Sequence, residues 1–166
     1  MKRGAVIFGG LALVFVALAF LVVQKETVLA RGQPVLLRLA PVDPRSLIQG
    51  DYMVLDYAIN QGWREGREQP QEDGNVVLRL DEHDVGEFVR YETQAGTSLA
   101  PGEVRLRFRI RNSQMRLGAE AFFFQEGHAE RYAKARYGEL RVTDNGTSVL
   151  VGLRDENYQP LGSAIH

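Results

Sequence analysis

Several short stretches hold the side chains that could do chemistry. Asp81-Glu82-His83-Asp84 packs carboxylates and an imidazole together, donors that suit calcium or, with histidine, zinc. Consecutive residues of one turn cannot all converge on an ion, and no second histidine lies nearby in sequence, although His128 could approach in space. The stretch therefore reads as a solvated turn. Glu126, His128, Glu130 and Arg131 set a histidine among acids, the ingredients of acid–base catalysis. Nothing in the sequence puts them in a cleft, and they read better as the start of a helix. Arg105, Arg107, Arg109 and Arg111 alternate with Val104, Leu106, Phe108 and Ile110, so a strand here carries four guanidinium groups on one face and apolar side chains on the other. Carboxylates on neighbouring strands would match such a row. Alternatively, the row is a candidate basic face for anionic lipid headgroups or an acidic partner, each charge near an anionic leaflet being worth about 1 kcal/mol. Cysteine is absent, which excludes disulfides and thiolate metal sites. No catalytic residue, no cofactor and no metal is expected.

The most distinctive string is Gly50-Asp51-Tyr52-Met53-Val54-Leu55-Asp56-Tyr57. As a strand it points Met53, Leu55 and Tyr57 to one face and Tyr52, Val54 and Asp56 to the other. Gly50 tolerates a positive φ, and Asp51 after it suits a turn that accepts backbone N–H groups. Gly50, Asp51, Tyr52, Leu55 and Tyr57 together form a candidate interaction motif. In these positions the chain resembles the GDYXXLXY domain proteins of bacteria. Phe122-Phe123-Phe124-Gln125-Glu126-Gly127, Tyr132-Ala133 and Tyr137-Gly138-Glu139-Leu140-Arg141-Val142 resemble that family's second shared block, so the likeness runs from Val35 to Leu161. It implies a small, N-terminally anchored protein with no established activity and a multi-pass membrane protein as partner.

Leu47-Ile48-Gln49-Gly50-Asp51 also resembles the start of a strand in serine/lysine signal peptidases. There the nucleophilic serine stands eight residues before the glycine, where this chain has Val42, and Ser46 is at the wrong offset. The base would be a lysine depressed by burial. Lys25 lies in a stalk and Lys134 far downstream, so a barrel-like scaffold without that chemistry is what this likeness leaves.

These residues must be positioned by the elements around them. Ala5 to Val23 is apolar or glycine throughout and long enough, at roughly 28 Å, to span a bilayer core. Lys2 and Arg3 precede it, which keeps the N-terminus in the cytoplasm, while Lys25 and Arg31 beyond it weaken that bias slightly. A small-residue cleavage site occurs only inside the apolar run, so an uncleaved anchor is expected. With 20 basic and 21 acidic residues, formal charge is −1 and nothing global points to nucleic acid.

After the anchor the pattern has period two. Val35–Leu39 reads as a strand stopped by Pro41, and Asp43-Pro44 as the start of one helical turn through Leu47. Tyr52–Ile59 reads as a strand antiparallel to the first, and Gly62–Gly74 as a polar loop. Asn75–Leu80 and Glu87–Glu92 flank the turn Asp81–Gly86. A loop at Ala95–Gly102 follows, then strand Val104–Arg111, expected to pair with Ala119–Phe124. Ala129–Tyr137 suits a short helix. Glu139–Thr143 and Thr147–Leu153 flank Asp144-Asn145-Gly146, a strong hairpin signal. The expected fold is mostly β, an N-terminal transmembrane helix followed by a β-barrel or sandwich-like domain with one short helix. Residues 1–24 are the cytoplasmic tip and anchor, 25–33 a stalk, and 34–166 the extracytoplasmic domain in the bacterial cytoplasmic membrane, periplasmic in a Gram-negative cell. The expected role is a non-enzymatic, single-pass accessory subunit of a membrane complex. The alternatives are an envelope hydrolase or peptidase-like enzyme, and a module binding anionic lipid or envelope polymer.

Overall fold

Seventeen charge-free residues at 7–23 either find a protein interior to fill or remain uncovered. In the computed structural model, which describes residues 2–40, 48–49, 52–64, 70, 72–92, 98–125 and 127–162, they remain uncovered. Helix α1 (Lys2–Arg31) is continuous over 30 residues. Ile7, Phe8, Phe15 and Phe20, on different sides of it, are all more than half exposed. A helix apolar all round needs an apolar medium on every side. Ile7–Arg31 is long and apolar enough to cross a membrane.

The helix does not stop at the apolar boundary but runs on through Gln24–Arg31, most of the segment expected as a stalk. Its end is docked. Val28 is buried, and the Gly32 N–H donates to the Val28 carbonyl at 2.8 Å. Any Cβ on Gly32 would overlap that carbonyl and come within 3.0 Å of the Arg141 backbone. Glycine is what lets the helix end sit against strand β9 (Tyr137–Val142).

Three small sheets curl around one core. Strand β1 (Gln33–Arg38) and β10 (Ser148–Arg154) flank β9, both antiparallel to it. Strands β2 (Ile48–Gln49), β3 (Tyr52–Val54) and β8 (Ala121–Phe123) form the second sheet in that order. Strands β4 (Gly74–Leu80), β5 (Gly86–Glu92), β6 (Glu103–Arg111) and β7 (Gln114–Arg116) form the third, ordered β5-β4-β6-β7. Single contacts stitch the sheets together. Leu36 bridges Val85, Leu39 bridges Tyr57, and the Arg107 N–H donates to the Gly146 carbonyl at 2.8 Å. Inward side chains of all three sheets, among them Leu37, Met53, Val76, Leu106, Phe108 and Leu140, meet in one cluster.

The architecture is the expected β-rich domain behind an apolar helix, and both hairpins, around Asp81–Gly86 and Asp144–Gly146, form as expected. Four expectations need correction. Tyr52–Ile59 is not one strand: it pairs only to Val54, bridges at Tyr57, and turns into helix α2 (Ala58–Arg64). The first two strands therefore meet at a single bridge, and β1 spends its length on β9. Strand β6 pairs with β7, not with Ala119–Phe124. Asn112 and Ser113, with φ of 51° and 56°, make a tight two-residue turn that returns the chain at once, which leaves β8 to pair with β3. Helix α3 is only Ala129–Tyr132, because Tyr137 is already in β9. Pro41, Asp43, Pro44, Leu47, Gly50 and most of the polar loop after Arg64 lie outside the described residues, as do 95–97 of the later loop.

Tyr57 is fully buried where the sheets converge. Its ring faces Gly138, whose absent Cβ would stand 3.0 Å from Cε1, and its hydroxyl donates to the Ala119 carbonyl at 2.6 Å. Burial, reinforced by the Glu120 carboxylate, pushes this phenol far above the ordinary tyrosine range, so it stays a neutral donor. Tyr57→Phe keeps the packing but strips that buried carbonyl of its donor, an expected cost of about 1–3 kcal/mol. Thermal unfolding of the full-length chain in detergent checks this, and an unchanged midpoint would show the bond to be dispensable.

Candidate functional site

The signature string divides between interior and surface as period two requires. Met53, Leu55 and Tyr57 are buried, Tyr52 and Asp56 half-buried, and Val54 exposed. Gly50 and Asp51 lie outside the described residues. Register places Tyr52 opposite Phe123 and Val54 opposite Ala121 across β3 and β8. The Tyr52 and Phe123 rings are 5.7 Å apart, and Phe123 is 74% exposed. Its neighbours turn inward: Phe122 is buried, and Phe122 and Phe124 each pack on Tyr132 at 5.1 Å. One surface of the small sheet thus shows Tyr52, Val54 and Phe123 to the surroundings. The sequence contained that signal in the alternation of Phe122-Phe123-Phe124, but only the pairing of β8 with β3 joins Phe123 to Tyr52.

The arginine row splits. Arg105 is half-buried and reaches across β4 to Glu92 on β5 at 2.7 Å, the cross-strand match expected of such a row. Around it, Arg90 binds both Glu92 at 3.3 Å and Glu103 at 3.0 Å, and Arg79 approaches Glu103 at 3.6 Å. Arg107, Arg109 and Arg111 are exposed. With Arg116 of β7 and Lys25 of α1 they line a cavity of about 410 Å³, completed by Thr147, Ser148 and the Leu117-Gly118 backbone turn. It adjoins a second of about 700 Å³ that shares Lys25, Arg107 and Arg109 and adds Arg31, Asp144, Phe20 and Val23. Arg116, in a three-residue strand, did not stand out in the sequence, and Lys25 stood out only as a flanking charge and an unsuitable base, not as a neighbour of the arginines.

Among the described residues, the remaining candidates do not come together. In the turn after β4, Asp81 Oδ1 accepts the N–H groups of His83 and Val85, each at 2.8 Å, and His83 stacks on Tyr158 at 4.3 Å. Asp81 is thus spent on closing its own turn. His128, Glu130 and Arg131 are exposed, and the His128 carbonyl accepts the Arg131 N–H at the start of α3. Glu126, Val42 and Ser46 lie outside the described residues, and Lys134 is exposed.

A family model described as GDYXXLXY protein matches residues 14–153. The chain belongs to the GDYXXLXY family. The match begins inside α1 and ends in β10, so in this GDYXXLXY chain it takes in the docked helix end, the cleft and all three sheets. No curated protein and no solved structure matches it.

Glu103 connects the arginine cluster to its turn. Its carboxylate accepts the Ala100 N–H at 3.1 Å and an Arg90 N–H at 3.0 Å, and in that order these bonds hold it below the ordinary value of 4.5. A folded-state value below the unfolded one means that the unfolded chain binds more protons in between. The stability from Glu103 is therefore complete above pH 4.5 and is lost as pH falls through the folded value. Glu103→Gln should melt earlier than the parent at neutral pH, with the gap closing as pH falls below 4.5. Melting curves across that range decide it, a pH-independent gap being the contrary result.

Proposed function

We propose that this GDYXXLXY protein is a non-enzymatic, single-pass subunit that carries its β domain on the outer side of a bacterial cytoplasmic membrane and docks it on a multi-pass membrane protein. The observation that carries the reading is the exposed Phe123 beside Tyr52 of the signature. Leu55 and Tyr57 of that signature have work inside the fold, whereas Tyr52 lies on the outer face, next to one of the most exposed large apolar side chains of the β domain. Aromatic side chains of this kind anchor protein interfaces. The patch is small, but a tether by α1 confines both partners to one plane and raises their effective concentration, so little contact area is needed. The family resemblance supports this class of partner, and Lys2 and Arg3 ahead of the apolar run support the orientation.

Phe123→Ser should leave stability within about 0.5 kcal/mol, because the side chain is exposed. It should also cost about 2 kcal/mol of association, roughly a thirtyfold loss, if Phe123 is an interface anchor. Cross-linking in intact membranes and recovery through a C-terminal tag should yield one multi-pass protein at near-equal abundance from the parent and much less from the variant. Recovery of no recurrent partner from the parent would defeat the proposal. Orientation has its own test, helped by a chain without cysteine. A lone thiol from Glu130→Cys, an exposed position, should react with a membrane-impermeant maleimide in spheroplasts. Protection until the membrane is broken would reverse the topology.

A further inference from the structure

We infer that the basic cleft between the end of α1 and the β6–β7 hairpin binds the phosphate headgroup of an anionic lipid. This rests on the membrane placement of α1 in that reading but not on its partner, and three observations converge on it. The first is an electrostatic conflict. Register sets Arg109 directly opposite Arg116, and like charges in that relation oppose strand pairing. The arrangement adds repulsion to a hairpin of only three paired positions.

The second is the distribution of partners. Arg79, Arg90, Arg105 and Arg154 all have carboxylates within 4 Å. Among the described residues, Lys25, Arg107, Arg109 and Arg116 have none at ion-pair distance, although the chain as a whole is nearly neutral. Arg116 bonds to Gln114 and Arg107 to the Asn145 carbonyl, both neutral acceptors. Arg111 has Asp73 at 3.5 Å with both side chains at least half exposed, and Asp144 is the one described carboxylate in the adjoining wall. Several guanidinium groups and an ammonium facing one space suit phosphate, which accepts paired N–H bonds from arginine.

The third is the level at which the cleft sits. Its adjoining part is walled by Phe20 and Val23, side chains of the apolar run, together with Lys25, Arg107 and Arg109. Lys25 follows Val23 by two residues, about 3 Å along the helix axis. The cleft therefore straddles the boundary between hydrocarbon and headgroup. A soluble anion would use only its basic half, whereas a lipid fills both halves.

The test uses the full-length chain in neutral detergent, offered equal amounts of phosphatidylglycerol and phosphatidylcholine and weighed intact by native mass spectrometry. The parent should retain phosphatidylglycerol at least about tenfold better. Each charge near an anionic headgroup is worth about fivefold in affinity, so the double variant Arg109→Gln, Arg116→Gln should lose roughly 25-fold for phosphatidylglycerol and much less for phosphatidylcholine, whose choline cation offsets its phosphate. Lys134→Gln, exposed and outside the cleft, should behave as the parent. Arg116→Gln alone should raise the melting temperature without anionic lipid by about 1–3 °C, from relief of the cross-strand repulsion, while weakening phosphatidylglycerol binding. A purely structural arginine would lower stability instead. Equal retention of both lipids by the parent, or an unaltered preference in the double variant, overturns the inference. So does inorganic phosphate bound as tightly as phosphatidylglycerol, because the apolar wall would then contribute nothing.

Discussion

Tyr57 is the point at which the β1-β9-β10 and β2-β3-β8 sheets are joined, inside the core that all three sheets share. Its backbone bridges Leu39 just beyond β1, its ring lies on the bare backbone of Gly138 in β9, and its hydroxyl reaches the Ala119 carbonyl ahead of β8. Among the described residues none of the sheets exceeds four strands, and a small sheet is stable only when its apolar face is covered. A large side chain that touches the first two of them, within the core cluster that all three share, supplies part of that cover. The phenol is polar, so its burial costs free energy unless its proton is bonded; the bond to Ala119 meets that cost and fixes where the chain enters β8. The exposed position of Phe123 depends on this, because β8 can pair with β3 only if its start is held there.

A second constraint comes from the helix. An apolar helix joined to its domain by a flexible linker would leave the domain free to turn. Here α1 stays helical to Arg31, buries Val28, and ends against β9 through Gly32. The orientation of the β domain relative to the apolar run is therefore set, and with it the height of the arginines on β6. Arginines further from the helix are matched with Glu92 and Glu103, while those nearest to it face a space lined by one another and by Lys25. Such segregation of like charge next to an apolar helix end makes the cleft chemically different from the rest of a nearly neutral surface.

The sequence by itself determined what depends on neighbours along the chain. The apolar length of α1, the alternation of β6, the turns at Asp81–Gly86 and Asp144–Gly146, and the division of Tyr52 from Leu55 and Tyr57 all follow from periodicity and local sterics. These act within a few residues, so the pattern carries them. The tertiary structure alone decided which distant strands pair. A three-residue β7 captured β6 because Asn112 and Ser113 accept left-handed backbone, and β8 was thereby left for β3. The same level decided that Arg105 of an evenly spaced row is half-buried against Glu92, two strands away, and Arg111 meets an exposed Asp73, while Arg107 and Arg109 face no described carboxylate at ion-pair distance. It also joined Lys25 to Arg116 and brought Tyr57 to a carbonyl 62 residues further on. Those choices minimise free energy over the whole chain, balancing loop closure against burial, and no short window of sequence contains both sides of that balance.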